Sequence, residues 1–302
     1  MSINSKKRRD SKKAKAKRGS TTLLPRALYQ LNRFRKDYIK NWGVNSKGHL
    51  DQGHYTWMAD RLNGYPRTLE IGCGVGYSTL ALLKQGHTVV CVEENPHCIA
   101  ATERLVAENG YSVAVITRET PESLGENAYR LIYKTIDSTP KADCLLIEGD
   151  ALNDPKLEAW LEQQPKFDAV ACWLLGTHNA RGHNIAVNLA SMPTPREHRI
   201  FVQNNVYEMA DRILRSGGIL TVIDRSETPS TEDIVTKLMD HHREQASVTS
   251  LVVKTVDHTP HIESEAQGAM RMLKTAPEGD QRNHTAGNLP TMSLCSTTSL
   301  KP

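Results

Sequence analysis

Leu69-Glu70-Ile71-Gly72-Cys73-Gly74-Val75-Gly76 decides how the rest of this chain reads. An apolar run ends in three glycines at alternate positions, with an acid two residues before the first. A strand that must stop, turn sharply and enter a helix needs residues without Cβ at the turn. Such residues take positive φ and let the backbone approach a ligand closely. A dinucleotide-binding fingerprint would place a glycine at position 77, where this chain has Tyr77.

Working outward, the flanking segments repeat the strand–helix alternation. Thr68–Ile71 is expected as a strand, Tyr77–Gln85 as a helix ended by Gly86, and His87–Val92 as a second strand. Asn95 followed by Pro96 is a favourable helix start, and that helix should run to about Glu108 before Asn109-Gly110. Short links between such units imply parallel strands with right-handed crossovers. For the third strand, Asp143–Ile147 is preferred over Ser112–Thr117, which leaves 112–140 as an insertion with a helix over 121–136. Phe167–Leu174, Ile219–Asp224, Val248–Val256 and Met292–Thr298 supply the later strands. Asp154–Gln163, Asn205–Leu214 and Thr231–His242 supply the helices between. The fold class expected is a doubly wound, mostly parallel α/β sheet. Ahead of it, residues 21–66 form a helical lead-in: one helix over 23–42, a loop at Ser46–Asp51, and a second helix at Tyr55–Leu62. Residues 257–290 read as a polar, irregular insertion within a domain spanning 67–302.

Charge divides the chain unevenly. Of 38 Lys/Arg and 34 Asp/Glu, residues 1–20 hold nine bases and one acid, so residues 21–302 hold 29 bases and 33 acids. The basic stretch cannot bury apolar area and is expected to be a disordered arm. It reads either as a solubilising tail or as an anion-seeking arm for RNA or acidic lipid, though no aromatic interrupts it to stack on bases. The acidic body argues against a broad nucleic-acid surface. No apolar run approaches the ~20 residues that span a bilayer, and none near the start resembles a secretory leader, so the expected location is cytoplasmic. The six cysteines form no C-x-x-C pair. They read as reduced, buried small hydrophobes, and no metal site is expected.

With these segments in order, the chain resembles the class I, Rossmann-like S-adenosylmethionine-dependent methyltransferases. LEIGCGVGYS is similar to the family's first motif, VVCVEENP to the second and CLLIEGDAL to the third. FDAVACWL is similar to the fourth, and RILRSGGILTVID to the segment around the fifth strand. The resemblance covers roughly residues 55–225. It implies a seven-stranded sheet with the last strand antiparallel, S-adenosylmethionine as cofactor, and methyl transfer as the activity.

The resemblance also implies residue roles. Glu70 would orient the turn and face the methionyl amino group, or serve only as a turn-stabilising carboxylate. Gly72, Cys73, Gly74 and Gly76 would form the floor for the methionyl part. Glu93, with Glu94 beside it, would hold the ribose hydroxyls through its two carboxylate oxygens. Asp150 and Ala151 would read the adenine edge, unless Asp150 caps the following turn instead. Cys172 and Trp173 would lie beside adenine and the sulfonium.

Acceptor contacts are expected from Leu174–Asn184, after the fourth strand. His178 is the candidate base there, and Arg181 and His183 are candidate acceptor anchors; the alternative is a surface loop with incidental polar residues. Tyr55, His49 and His54 in the lead-in either close over the site or only cap and pack their helices. The family branches that methylate nucleic-acid bases or protein glutamine carry an Asn/Asp-Pro-Pro-Tyr run, where this chain has Ala171-Cys172-Trp173-Leu174. A small-molecule acceptor is therefore expected. An RNA- or protein-directed enzyme using the basic tail, and a non-catalytic cofactor-binding partner protein, stand as alternatives.

Overall fold

The computed structural model describes residues 25–262 and 291–302. The basic stretch 1–20 and most of the polar segment 257–290 lie outside these residues.

Ten strands form: β1 (Arg67–Ile71), β2 (Thr88–Glu93), β3 (Val113–Ile116), β4 (Glu119–Ser123), β5 (Tyr129–Tyr133), β6 (Cys144–Glu148), β7 (Phe167–Trp173), β8 (Leu214–Glu227), β9 (Val252–Pro260) and β10 (Met292–Leu300). Seven helices accompany them: α1 (Arg26–Asp51), α2 (His54–Asp60), α3 (Tyr77–Lys84), α4 (Pro96–Glu108), α5 (Pro155–Gln163), α6 (Pro195–Ile213) and α7 (Glu232–Ala246). A short 3-10 turn spans Asn179–His183. Eight strands make one sheet in the order β3-β6-β2-β1-β7-β8-β10-β9. The ladders from β3 to β8 are parallel, and β10 runs antiparallel to both its neighbours, β8 and β9.

The central strands are apolar on both faces, as strands covered by helices on each side must be. Along β2, Val90 and Val92 face one core with Leu69, Leu145 and Val170, roofed by α5–α7. Val89 and Cys91 face the other with Leu146 and Ala171, against α2–α4. All six cysteines are buried and free. Among the described residues, no helix is long and apolar enough to cross a membrane.

The sheet departs from the sequence expectation in four places. It has eight strands rather than seven, because both candidate third strands enter it: β6 pairs with β2, and β3 adds outside β6. Residues 121–136 are not helical. β4 and β5 form an antiparallel hairpin, with Tyr129, Ile132 and Tyr133 suited to a strand and Gly125 at φ 102° turning between them. The expected loop at Ser46–Asp51 is the last turn and a half of α1. It is held there by burial of Ser46 and His49 and by a 2.7 Å hydrogen bond between the Ser46 and Tyr55 hydroxyls. α6 starts ten residues earlier than expected, at a capping box. Thr194 accepts from the backbone N–H of Glu197, Glu197 returns a bond to the backbone N–H of Thr194, and Pro195 follows the cap.

The lead-in helix is fastened by a cation. Arg35 on α1 is 3% exposed, and its guanidinium forks onto both carboxylate oxygens of Glu119 at 2.7 Å. The same group donates to the Glu94 carbonyl at 3.0 Å and pairs with the Glu94 carboxylate. Burial by itself lowers the Arg35 pKa, but the two acids hold it well above its ordinary value. Asn95 adds a bond from its side chain to the Arg35 carbonyl, at 3.0 Å. One charged side chain thus ties α1 to the end of β2 and to the hairpin.

Replacing Arg35 by methionine keeps the volume and strands two acids without their cation. Loss of one member of a buried pair costs about 3–5 kcal/mol. Hydrogen exchange is expected to show α1 losing that much local stability while β1, β2 and β7 keep theirs. Unchanged protection of α1 would refute this account of the clamp.

Candidate functional site

A cavity of ≈ 140 Å³ opens at the carboxyl edge of the parallel strands, where open α/β sheets bind ligands. Its floor is the glycine turn. Gly72, Gly74 and Gly76 take φ of 82°, 55° and 90°, the left-handed region that the turn demands. Its roof is α1. A Cβ at Gly74 would collide with the Trp42 indole, and one at Gly176 with the Tyr38 ring. These two glycines therefore make room for the protein's own aromatics as well as for any ligand.

Glu70 does not line the cavity. It is 1% exposed, and its two oxygens accept from the hydroxyls of Ser78 at 2.5 Å and Thr79 at 2.6 Å. It thereby holds the first turn of α3 against β1. Burial pushes its carboxyl up to about 7 in spite of these bonds. Gly76 also lies back from the cavity, where a Cβ would press on Thr102.

Glu93 ends β2 and reaches the cavity. One oxygen accepts from Gly74 N at 3.2 Å and the other from Asn95 N at 2.9 Å. The oxygen that accepts from Gly74 also accepts from the Cys73 thiol at 3.9 Å, and the oxygen that accepts from Asn95 keeps a lone pair for a further donor. Burial raises its carboxyl to about 7, against the pull of those two backbone donors. Asp150 and Ala151 line the same end, after β6. The Asp150 carboxylate accepts from Leu152 N at 2.8 Å and from the Asn153 side chain at 3.0 Å, so it closes its own turn and also faces the cavity.

Glu94 is the neighbour of Glu93 and fares differently. Burial alone would raise its pKa, but Arg35 and His178 more than reverse this and hold it well below the usual carboxylate range. His178 Nε2 lies 2.9 Å from Glu94 Oε2. Carboxylates only accept, so this nitrogen carries the proton when the imidazole is neutral. The other nitrogen, Nδ1, is buried and has no hydrogen-bond partner among the described residues.

The remaining expected residues divide between wall and periphery. Tyr55, Cys73, Trp173 and Arg181 line the cavity. Trp173 is fixed by its indole N–H to Thr221 at 2.9 Å, and Arg181 donates to the Met192 carbonyl at 2.9 Å. Cys172 is fully buried in β7 on the opposite face of the sheet from Trp173. His183 bonds the Asn127 carbonyl at 2.9 Å and lies outside the wall. His49 and His54 are buried away from the cavity.

Sequence reading missed Tyr38 and Trp42, whose spacing on a helix signals only an apolar face. Leu174, the first residue of the expected acceptor segment, lines the cavity at φ 50°, the only non-glycine with positive φ among the described residues, a conformation the sequence reading did not anticipate. A branched side chain there stores on the order of 1–3 kcal/mol of strain, which clusters at functional sites. A leucine in sequence carries no signal of that conformation.

Comparison with known proteins follows the same lines. Residues 37–134 match the methyltransferase small domain family. No curated protein matches the chain in sequence. Among solved structures, TrmN from Thermus thermophilus aligns at TM-score 0.44 and 9% identity over 82% of this chain and 48% of its own, so this chain spans about half its length. The N-methyltransferase NodS from Bradyrhizobium japonicum WM9, in complex with S-adenosyl-L-homocysteine, aligns at TM-score 0.42 and 9% identity over 84% of this chain and 87% of its own. A methyltransferase from Bacillus halodurans C-125 aligns at 0.41 and 13% identity, over 83% and 99%. At such identities and scores the structural likenesses carry no functional argument, and the reading rests on the family match and on the site. The matched stretch, about a third of the chain, holds the end of α1, the glycine turn and the Glu93–Glu94 pair.

Proposed function

We propose that this enzyme transfers the methyl group of S-adenosylmethionine to a small acceptor that must lose a proton from O–H or N–H, with His178 as the base. The single observation that carries this is the Glu94–His178 pair. Glu94 accepts from Nε2 and so leaves the lone pair of Nδ1 exposed to chemistry in a buried wall.

The residues present fit the cofactor. Glu93 offers carboxylate acceptors in the cavity wall, and the left-handed backbone of Gly72 beside it has no neighbour closer than ordinary van der Waals contact. Glu93 would take the ribose hydroxyls, Asp150 and Ala151 the adenine edge, and the turn at Gly72–Gly74 the methionyl part. Bound there, the sulfonium supplies an activated methyl group that needs only in-line displacement. The chain's own task is then alignment, which is worth several kcal/mol of barrier, and removal of the acceptor's proton. Arg181 on the same wall would attract an anionic group of the acceptor.

Enclosure supports a small acceptor. α1 covers the cavity from one side, with Tyr38 and Trp42 pressed onto two glycines, which narrows the space left for an acceptor. The six buried, free thiols fit a reducing compartment such as the cytoplasm. An RNA-directed reading depends on residues 1–20, which lie outside the described residues.

Two outcomes follow. Glu93 must be ionised to accept from both hydroxyls, so binding releases a proton wherever the free carboxyl still holds one. S-adenosylhomocysteine affinity is expected to be flat above about pH 7 and to fall up to tenfold per pH unit below it. Calorimetry on the Glu93→Gln variant should show weaker binding with no such slope; a flat wild-type profile between pH 5.5 and 7.5 would refute the ribose role. In a screen of small O–H and N–H acceptors read by S-adenosylhomocysteine release, His178→Asn should lower kcat about 10²–10⁴-fold. Cofactor affinity should hold within a factor of about three, and full turnover by this variant would remove His178 as the base.

A further inference from the structure

Away from the cofactor cavity, three buried histidines converge from two distant parts of the chain. His49 lies in the last turn of α1, His54 opens α2, and His261 follows β9. Their exposures are 1%, 2% and 8%. One ring nitrogen from each lies within 4.8 Å of the other two. The geometry points to a site for one divalent transition metal of the zinc, cobalt or nickel kind, which clips the lead-in helices to the end of β9.

The local chemistry prepares the nitrogens. His54 Nε2 lies 3.0 Å from the Pro260 carbonyl oxygen, which can only accept. That nitrogen therefore carries the proton, and Nδ1 of His54 presents a lone pair. A ring N–H anchored to a backbone carbonyl is the usual support of a metal-bound imidazole. The His54 lone pair points at His49 Nδ1, 3.0 Å away. Without metal, His49 donates a proton there; with metal, that proton shifts to its Nε2 and both Nδ1 atoms turn to the ion.

The backbone holds the three together. Gly53, at φ 73°, lets α1 end and α2 start within two residues. The Gln52 side chain accepts from Ile262 N at 2.9 Å and donates to Ile262 O at 3.2 Å, which fixes the segment bearing His261. The His49 and His261 rings stack with centroids 4.8 Å apart. Zinc–nitrogen bonds of about 2.0–2.1 Å set ligand nitrogens roughly 3.3 Å apart in a tetrahedron. The widest pair must therefore close by roughly 1.5 Å, within reach of side-chain rotation. Three neutral imidazoles suit zinc, cobalt, nickel or copper rather than calcium or magnesium. The fourth position falls to an exogenous ligand such as water.

Such an ion would be structural. Its link to the cavity runs through Tyr55, whose ring lies 6.3 Å from that of His49 and which lines the cofactor wall. Cysteine spacing gave no hint of a metal, because the ligands are histidines whose third member stands more than 200 residues away.

The test uses untagged, full-length protein, stripped with chelator and titrated with Co²⁺ while visible absorption is followed. One equivalent of tetrahedral-type cobalt spectrum is expected, displaced by one equivalent of Zn²⁺, and Zn²⁺ should raise Tm. His54→Ala and His261→Ala should each abolish the spectrum and the Tm shift while keeping S-adenosylhomocysteine binding within a few-fold. If either variant fails to fold, the titration of the wild-type chain still decides. Absence of a saturable cobalt spectrum and of a zinc-dependent Tm shift in folded wild type would overturn the proposal and leave the cluster as a packed imidazole stitch.

Discussion

The architecture depends on one buried cation. Arg35 belongs to a helix that precedes the sheet, and it pairs with an acid from the end of β2 and an acid from the hairpin. Without it the two acids would lose the guanidinium they share, and α1 would lose its charged tie to the carboxyl edge. The clamp determines where Tyr38 and Trp42 fall, one and two turns further along the helix. There they close the space above Gly176 and Gly74. A sheet edge that would otherwise be an open groove becomes a partly covered cavity.

The same cation separates two neighbours. Glu93 and Glu94 are adjacent in sequence, yet burial raises one to about 7 while Arg35 and His178 hold the other far below the normal range. Pairs of acids driven apart in this way mark a division of labour. Glu93 faces backbone donors and is left to meet hydroxyls. Glu94 is permanently charged, and that fixed charge orients His178. Two stretches of the cavity wall, at Glu93 and at His178, are thus held from consecutive residues at the end of one strand.

Much of the frame was readable in the sequence because local rules govern it. The glycine turn needs its glycines for φ, Asn95-Pro96 needs its cap, and the buried strands need apolar residues on both faces; each requirement writes itself into adjacent letters. The hairpin at 119–133 was obscured because β4, Glu119–Ser123, is polar and contains Pro121, so β5 has no recognisable partner strand beside it in sequence. The early start of α6 was written in Thr194-Pro195-Arg196-Glu197, a capping box whose following residues are too polar to announce a helix. Within the cavity wall, the glycine turn and Glu93 lie on motifs close in sequence, whereas the wall around Glu94 and His178 depends on Arg35, a charged residue at an apolar helical position, and on a leucine held at positive φ. Long-range pairings of that kind leave no local trace.

The central claim is that the glycine turn and Glu93 form an S-adenosylmethionine site and not a dinucleotide site. Calorimetric titration of the wild-type chain at pH 8 with S-adenosylhomocysteine and, separately, with NAD tests it most directly. One saturable site per chain for S-adenosylhomocysteine and no detectable heat for NAD is the expected result. Saturable binding of NAD without binding of S-adenosylhomocysteine would contradict it.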